Sequence, residues 1–114
     1  MSAPVTQWQI VTTDPDTLGK FYGDLFGWKI RTNNALGYRE IATGSIDGGL
    51  WPAPPGAASF VQLFVAVPDV DASVARAIAM GARLIVPVTA LPDGDVMAVL
   101  ADPMGVTFGL VRQR

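Results

Sequence analysis

Two stretches of this chain repeat one another in order, and that repeat constrains the fold more than any other feature. Residues 5–12 (VTQWQIVT) are rich in β-branched and aromatic types and read as a strand. Asp14-Pro15-Asp16 opens a helix. Asp14 suits the N-cap, and Pro15 suits the first helical position, where its missing N–H would be unsatisfied in any case. Leu18, Phe21, Tyr22, Leu25 and Phe26 recur at spacings of three and four, which predicts one buried stripe, and Gly27 ends the helix. Residues 28–32, 38–43 and 45–51 read as strands, with a turn at Asn33-Asn34 and Gly37 and a tight Gly48-Gly49 pair.

The same order follows residues 52–59 (PAPPGAAS), whose prolines cannot continue a sheet interior and which read as a linker. Residues 60–67 are a strand, and Asp69 caps a helix over 70–80 with a stripe of Val70, Val74, Ala77, Ile78 and Met80. Gly81 ends it. Residues 83–88, 96–101 and 106–112 are strands, separated by turns at Leu91-Pro92-Asp93-Gly94 and Asp102-Pro103-Met104-Gly105. The offset is nearly constant. Gln7 and Gln62 are 55 residues apart, as are Asp16 and Asp71, while Gly27 and Gly81 are 54 apart and Gly49-Leu50 and Gly109-Leu110 are 60 apart. Each half is thus strand–helix–strand–strand–strand, related by an internal two-fold. The modules cover about 5–51 and 60–112 of a single domain.

Composition bounds the chemistry. Half the residues are hydrophobic and 16% are charged, which supplies one real core. The eight Lys and Arg are scattered, so no basic stripe addresses nucleic acid. No apolar run approaches the roughly 20 residues that span a bilayer, and the first six residues do not read as a secretory signal. With no Cys there is no disulfide framework, and the expectation is a cytoplasmic protein. The chain also has no His, and its only Glu is Glu40. The commonest general base, the commonest metal ligand and the thiolate are all missing. No Asp-rich loop has calcium-binding spacing.

Four segments carry a family resemblance. Phe21-Tyr22-Gly23-Asp24-Leu25-Phe26-Gly27-Trp28 resembles the helix-ending stretch of the glyoxalase / bleomycin-resistance / extradiol dioxygenase superfamily, the vicinal oxygen chelate fold. The segment 101–110 (ADPMGVTFGL) is similar to that family's closing strand. Val67-Pro68-Asp69-Val70-Asp71 resembles its second helix entry, and Gly48-Gly49-Leu50 the Gly-rich strand that closes its first half. The resemblance implies an α+β fold of two βαβββ modules whose mixed sheet curls into an open cup with the helices outside. It also implies that metal-dependent members hold their ion with one residue on the first and one on the last strand of each module. Carried over, those positions are Gln7, Gln62, Gly49 and Gly109. A neutral amide is a weak metal ligand and glycine offers no side chain, so the expectation is no metal and no cofactor.

Strand alternation assigns the lining of the cup. Gln7, Gln9, Val11, Gln62, Phe64 and Ala66 face it, as do Asp47, Trp51, Thr107 and Val111, while Trp8, Ile10, Leu63 and Val65 face the helices. The candidate ligand-binding residues are Gln7, Gln9, Trp51, Gln62, Phe64 and Thr107, an apolar surface with a few polar groups. Each has a structural alternative: Trp51 plugging a sheet end, Phe64 filling a closed interior, the amides satisfied by one another and by water. Asp47 reads as a turn residue, and Tyr38 and Glu40 sit on a strand of unfixed register, placed at the surface or an edge. No residue is assigned a catalytic role.

The leading expectation is a metal-free protein that binds an aromatic or apolar small molecule, as bleomycin-resistance proteins do, rather than an enzyme. The alternatives are a metal-independent isomerase or lyase using Tyr38, Glu40 or Asp47, and an interaction domain with a filled cup. Exposed strand edges and the open cup also predict a homodimer.

Overall fold

The computed structural model of the chain describes residues 2–32, 38–91 and 94–113. Its elements are β1 (Val5–Thr12), α1 (Pro15–Phe26), β2 (Lys29–Arg31), β3 (Arg39–Ala42), β4 (Gly48–Pro52), β5 (Phe60–Val67), α2 (Val70–Ala79), β6 (Arg83–Ala90), β7 (Val96–Ala101) and β8 (Thr107–Arg112). The predicted α+β order, β-α-β-β-β twice, is what forms. The turn expected at Asn33-Asn34 and Gly37, and the Pro92-Asp93 part of the later turn, lie outside the described residues.

The chain divides into two compact units, Gln7–Gln62 and Leu63–Arg114 with the N-terminal residues up to Thr6. The boundary therefore crosses β1 and β5 rather than the Pro-rich stretch. In the first unit the strands run in the order β2-β3-β4-β1, with β4 and β1 parallel and the other neighbours antiparallel. In the second they run β5-β8-β7-β6, with β5 and β8 parallel. No helix among the described residues is long and apolar enough to cross a membrane.

The helix ends follow their local chemistry. The Asp14 carboxylate accepts from Thr17 N at 3.1 Å, satisfying one of the orphan N–H groups of the first turn, and Pro15 follows it. Gly27 ends α1 at φ 72°, a left-handed conformation that costs a glycine little, and its N–H reaches Gly23 O. Asp69 caps α2 in the same way, at 3.0 Å from Ala72 N.

The buried face of α1 differs from the expected stripe. Phe21, Leu25 and Phe26 are all more than half exposed, and only Gly19 is fully buried. The helix packs through the turn face that carries Leu18, Gly19 and Tyr22. A Cβ on Gly19 would already stand 3.4 Å from Leu50 Cδ1 and 3.5 Å from Ile30 Cγ2. The missing side chain brings the backbone down on the sheet and turns the larger residues outward. The core beneath is Ile10, Ile41 and Leu50, with Trp8, Leu18, Tyr22, Trp28 and Ile30 around it. In α2, Val70 and Val74 are buried over Val67, Ala98, Leu100 and Leu110, while Ile78 and Met80 are exposed. Fully burying a residue such as Leu50 or Leu100 contributes about 1.5–3 kcal/mol, so these inner positions rather than the helix flanks hold each unit together.

Two strand limits also differ. Residues 44–46 form a bend and β4 starts only at Gly48, because side chains claim the local backbone: Asp47 Oδ1 accepts from Thr43 N, and Ile46 O accepts from both Thr43 Oγ1 and Trp8 Nε1. β6 runs on through Pro87 to Ala90, which a strand at the end of its sheet's order can accommodate. The stretch after β4 is tied down as well, through Ala53 N to Thr12 O at 2.8 Å and Ser59 Oγ to Thr12 Oγ1 at 2.9 Å.

Candidate functional site

Alternation along β1 separates two faces. Ile10 joins the core under α1, so Gln9 and Val11 point to the opposite face, together with their register partners on β4, Gly49 and Trp51. On this second face of the first unit the structure gathers Gln9, Gln62, Tyr38 and Trp51. Gln9 and Gln62 are both more than nine-tenths buried. Tyr38 and Trp51 are half-buried, with ring centroids 5.3 Å apart at 59°.

These polar groups form a directed chain. Gln62 Nε2 donates to Gln9 Oε1 at 3.5 Å. Gln9 in turn makes a side-chain hydrogen bond to Tyr38, and that bond lowers the pKa of the phenol. Gln9 Oε1 accepts from Gln62 and Tyr38 Oη donates to Gly48 O, so the Gln9 amide nitrogen is the group placed to donate to the phenol oxygen. Tyr38 Oη then donates to Gly48 O at 3.4 Å. At the head of the chain Gln62 Oε1 is buried and accepts from no described residue. A buried acceptor left without a donor costs about 1–3 kcal/mol, which marks the spot as more than passive packing.

Burial pushes the Tyr38 phenol up to about 12, with the charge of Glu40 adding to the effect and the Gln9 bond opposing it. At neutral pH Tyr38 is therefore a permanent neutral hydrogen-bond donor and a poor source of phenolate. Glu40 and Asp47 are exposed, and Asp47 closes its own loop by accepting from Thr43 N.

Of the other residues expected at the site, Gln7 belongs to the same unit and Phe64 and Thr107 to the second. Gln7 is half-buried near the start of β1, and the bonds just described do not include it. Phe64 is 1% exposed and packs among Ala66, Val99 and Val111, on the face away from α2. Thr107 is half-buried at the start of β8. A separate groove of about 390 Å³ runs beside α1, lined by Gly19, Gly23, Trp28, Ile30 and Arg39 among others. Its charges are mutually engaged, Arg39 with Asp16 at 2.9 Å and Lys20 with Asp24 at 2.7 Å. Tyr38 is the residue that sequence reasoning placed wrongly, at the surface or an edge. The signal that could have found it is Gly49, whose missing side chain leaves room on that face for a neighbouring ring.

Known proteins place the fold. The glyoxalase-like domain family matches residues 7–111 of the chain. The chain belongs to the glyoxalase-like family. A relative named "Putative glyoxylase CFP32", from Mycobacterium bovis and Mycobacterium tuberculosis, is 33% identical over 108 residues, covering 87% of this chain and 41% of the relative. The chain thus spans about two fifths of the length of the curated relatives it matches. Among solved structures, methylmalonyl-CoA epimerase from Mycobacterium tuberculosis aligns at TM-score 0.66 and 23% identity, covering 96% of this chain and 87% of that one. The hypothetical protein BH1468 from Bacillus halodurans aligns at TM-score 0.72 and 14% identity over 100% and 96%. A glyoxalase/bleomycin resistance protein/dioxygenase superfamily member from Vibrio splendidus aligns at 0.68 and 15% over 98% and 100%. These structural likenesses establish the fold.

In this glyoxalase-like chain, the positions at which metal-dependent members are expected to hold an ion do not suit one. A Cβ on Gly49 would overlap the Tyr38 ring, and a Cβ on Gly109 would overlap the Phe64 ring. The space in which a ligating side chain would begin is filled by an aromatic in each unit. Gln62, at a first-strand position, is engaged through its nitrogen with Gln9. Among the described residues no group of three or more His, Cys, Asp or Glu is gathered to hold an ion. The donor set and the packing both disagree with the family's usual ion.

Proposed function

We propose that this glyoxalase-like domain binds an aromatic or otherwise apolar small molecule without a metal ion. The observation that carries the reading is the pairing of two buried amides, Gln9 and Gln62, with a half-buried Trp51 on the face that Gly49 leaves without a side chain. Small-molecule sites combine an apolar wall with a few placed polar groups, and this face has both. The aromatic rings over Gly49 and Gly109 support the metal-independent part, because they take up the room that ligating side chains would need.

The test is calorimetric titration and thermal denaturation with benzamide, phenol and indole, after dialysis against EDTA. At least one probe is expected to bind saturably and raise the melting temperature, as any ligand of the native state does by mass action. Trp51→Ala is expected to weaken it about tenfold, the effect of losing one aromatic contact. Binding that appears only on adding a divalent ion, or none with any probe, would overturn the reading.

A second reading, a metal-independent isomerase or lyase, draws support from Tyr38 lying within the cluster. As a neutral phenol it would polarise a substrate oxygen, by turning its proton from Gly48 O, instead of removing a proton. Loss of turnover in Tyr38→Phe with substrate affinity retained would favour it.

A further inference from the structure

The hydrogen-bond chain on this face runs in one direction, and its direction selects what can bind. Gln9 turns its oxygen toward Gln62 Nε2, which leaves its nitrogen for the bond it shares with Tyr38. Gln62 must then present its own nitrogen, because the reverse orientation would set two carbonyl oxygens against each other. Tyr38 passes its proton to Gly48 O and accepts from Gln9. Every link is spent in the same sense. What remains at the head of the chain is an acceptor, Gln62 Oε1, on a residue 6% exposed.

We infer that the ligand of this face is a flat apolar molecule carrying an N–H or O–H donor, of the primary-amide or phenol kind, which it places on Gln62 Oε1. The inference rests on the binding role proposed above and adds the polarity of the ligand to it. A molecule that brings a donor relieves an unpaired buried acceptor. One that brings only an acceptor meets carbonyl against carbonyl and gains nothing there. Polar groups built to pair with a ligand discriminate strongly against analogues that leave them unpaired. The two outer links of the chain are long, at 3.5 and 3.4 Å, so the Gln62 side chain is held by a single stretched bond and can shift to meet a donor.

The experiment compares matched pairs on the unmodified protein: benzamide against methyl benzoate, and phenol against anisole, by calorimetry. In each pair the ring is kept and the donor is removed. The donor-bearing member is expected to bind at least about tenfold more tightly, the effect of one satisfied buried hydrogen bond. Gln62→Met, which keeps the length and removes the acceptor, is expected to reduce the preference within each pair to less than about twofold, with folding checked by circular dichroism. The ligand pairs decide the matter on the native chain even where that variant does not fold. Equal binding within both pairs, as when an internal water already satisfies the oxygen, overturns the inference and leaves the binding role standing. Failure of all four compounds, and of indole, to bind overturns both.

Discussion

The ring of Phe64 occupies the space in which a side chain on Gly109 would begin, and the two residues are register partners across β5 and β8. Phe64 is 1% exposed and hemmed in by Ala66, Val99 and Val111, so it has nowhere to move. Gly109→Ala is therefore expected to destabilise the protein by about 1–3 kcal/mol, the usual cost of overpacking a core. Phe64→Ala alone should cost about 3–5 kcal/mol through the cavity it leaves. The double variant should be more stable than the sum of the two predicts, by at least about 0.5 kcal/mol, since the new methyl then enters vacated space. Urea denaturation of the three variants measures this, and strict additivity would mean that the ring and the glycine are not coupled.

Gly49 and Tyr38 have the same relationship with a different consequence. The atoms that an added Cβ would meet are the hydroxyl end of a half-buried side chain, which can swing aside. Gly49→Ala should thus cost less than Gly109→Ala, below about 1.5 kcal/mol. Its signature is chemical: displaced toward water, the Tyr38 phenol should titrate closer to its ordinary value of 10.0. Ultraviolet titration in a Tyr22→Phe background reads Tyr38 alone. An unmoved titration in Gly49→Ala would show that the ring does not sit on the glycine.

These pairs show what could be read in the chain and what could not. The helix ends were legible because Asp14-Pro15, Gly27 and Asp69 act on the few residues beside them. Leu63, expected toward the helices, is half exposed, whereas the faces at Gln9 and Ile10 of β1 and at Phe64 and Val65 of β5 were legible because alternation is local. The outward face of α1 was not, because it depends on how closely Gly19 lets the helix approach Leu50, a tertiary fact. Tyr38 was not, because β3 is short and its register is set by pairing with β4, where Glu40 opposes Gly49. A glycine reads as an absence in sequence. In the fold Gly49 and Gly109 are seats for rings, that of Tyr38 just before β3 and that of Phe64 on β5.

The raised pKa of Tyr38 makes stability fall at high pH. Its folded value of about 12 lies above the unfolded value near 10, so between those two pH values the native state holds a proton that the unfolded state has released. The contribution is fully present below pH 10 and is lost as the pH climbs through the folded value. Tyr38→Phe, which cannot ionise, should show a shallower decline of stability over that window than the native chain. Urea midpoints measured across it test this, and parallel curves for the two proteins would place the cause elsewhere.

Metal ions give the last prediction. EDTA or Co²⁺ should leave the melting temperature of the native chain unchanged, and Co²⁺ should produce no visible d–d absorption. Supplying imidazoles is not expected to suffice. Gln7→His with Gln62→His places two good ligands at the first-strand positions of the chain, yet a third from Gly49→Glu must begin where the Tyr38 ring already lies. The triple variant must therefore displace the Tyr38 ring before it can use the carboxylate, and should bind Co²⁺ more weakly than the same variant carrying Tyr38→Ala. Adding Tyr38→Ala clears the ring and should tighten the ion, because the carboxylate can then extend from β4. The Co²⁺ spectrum reports coordination directly and needs no assay of activity. Equal Co²⁺ binding by the triple variant with and without Tyr38 would show that displacing the ring costs nothing, and that the glycine rather than the aromatic is what keeps the ion out.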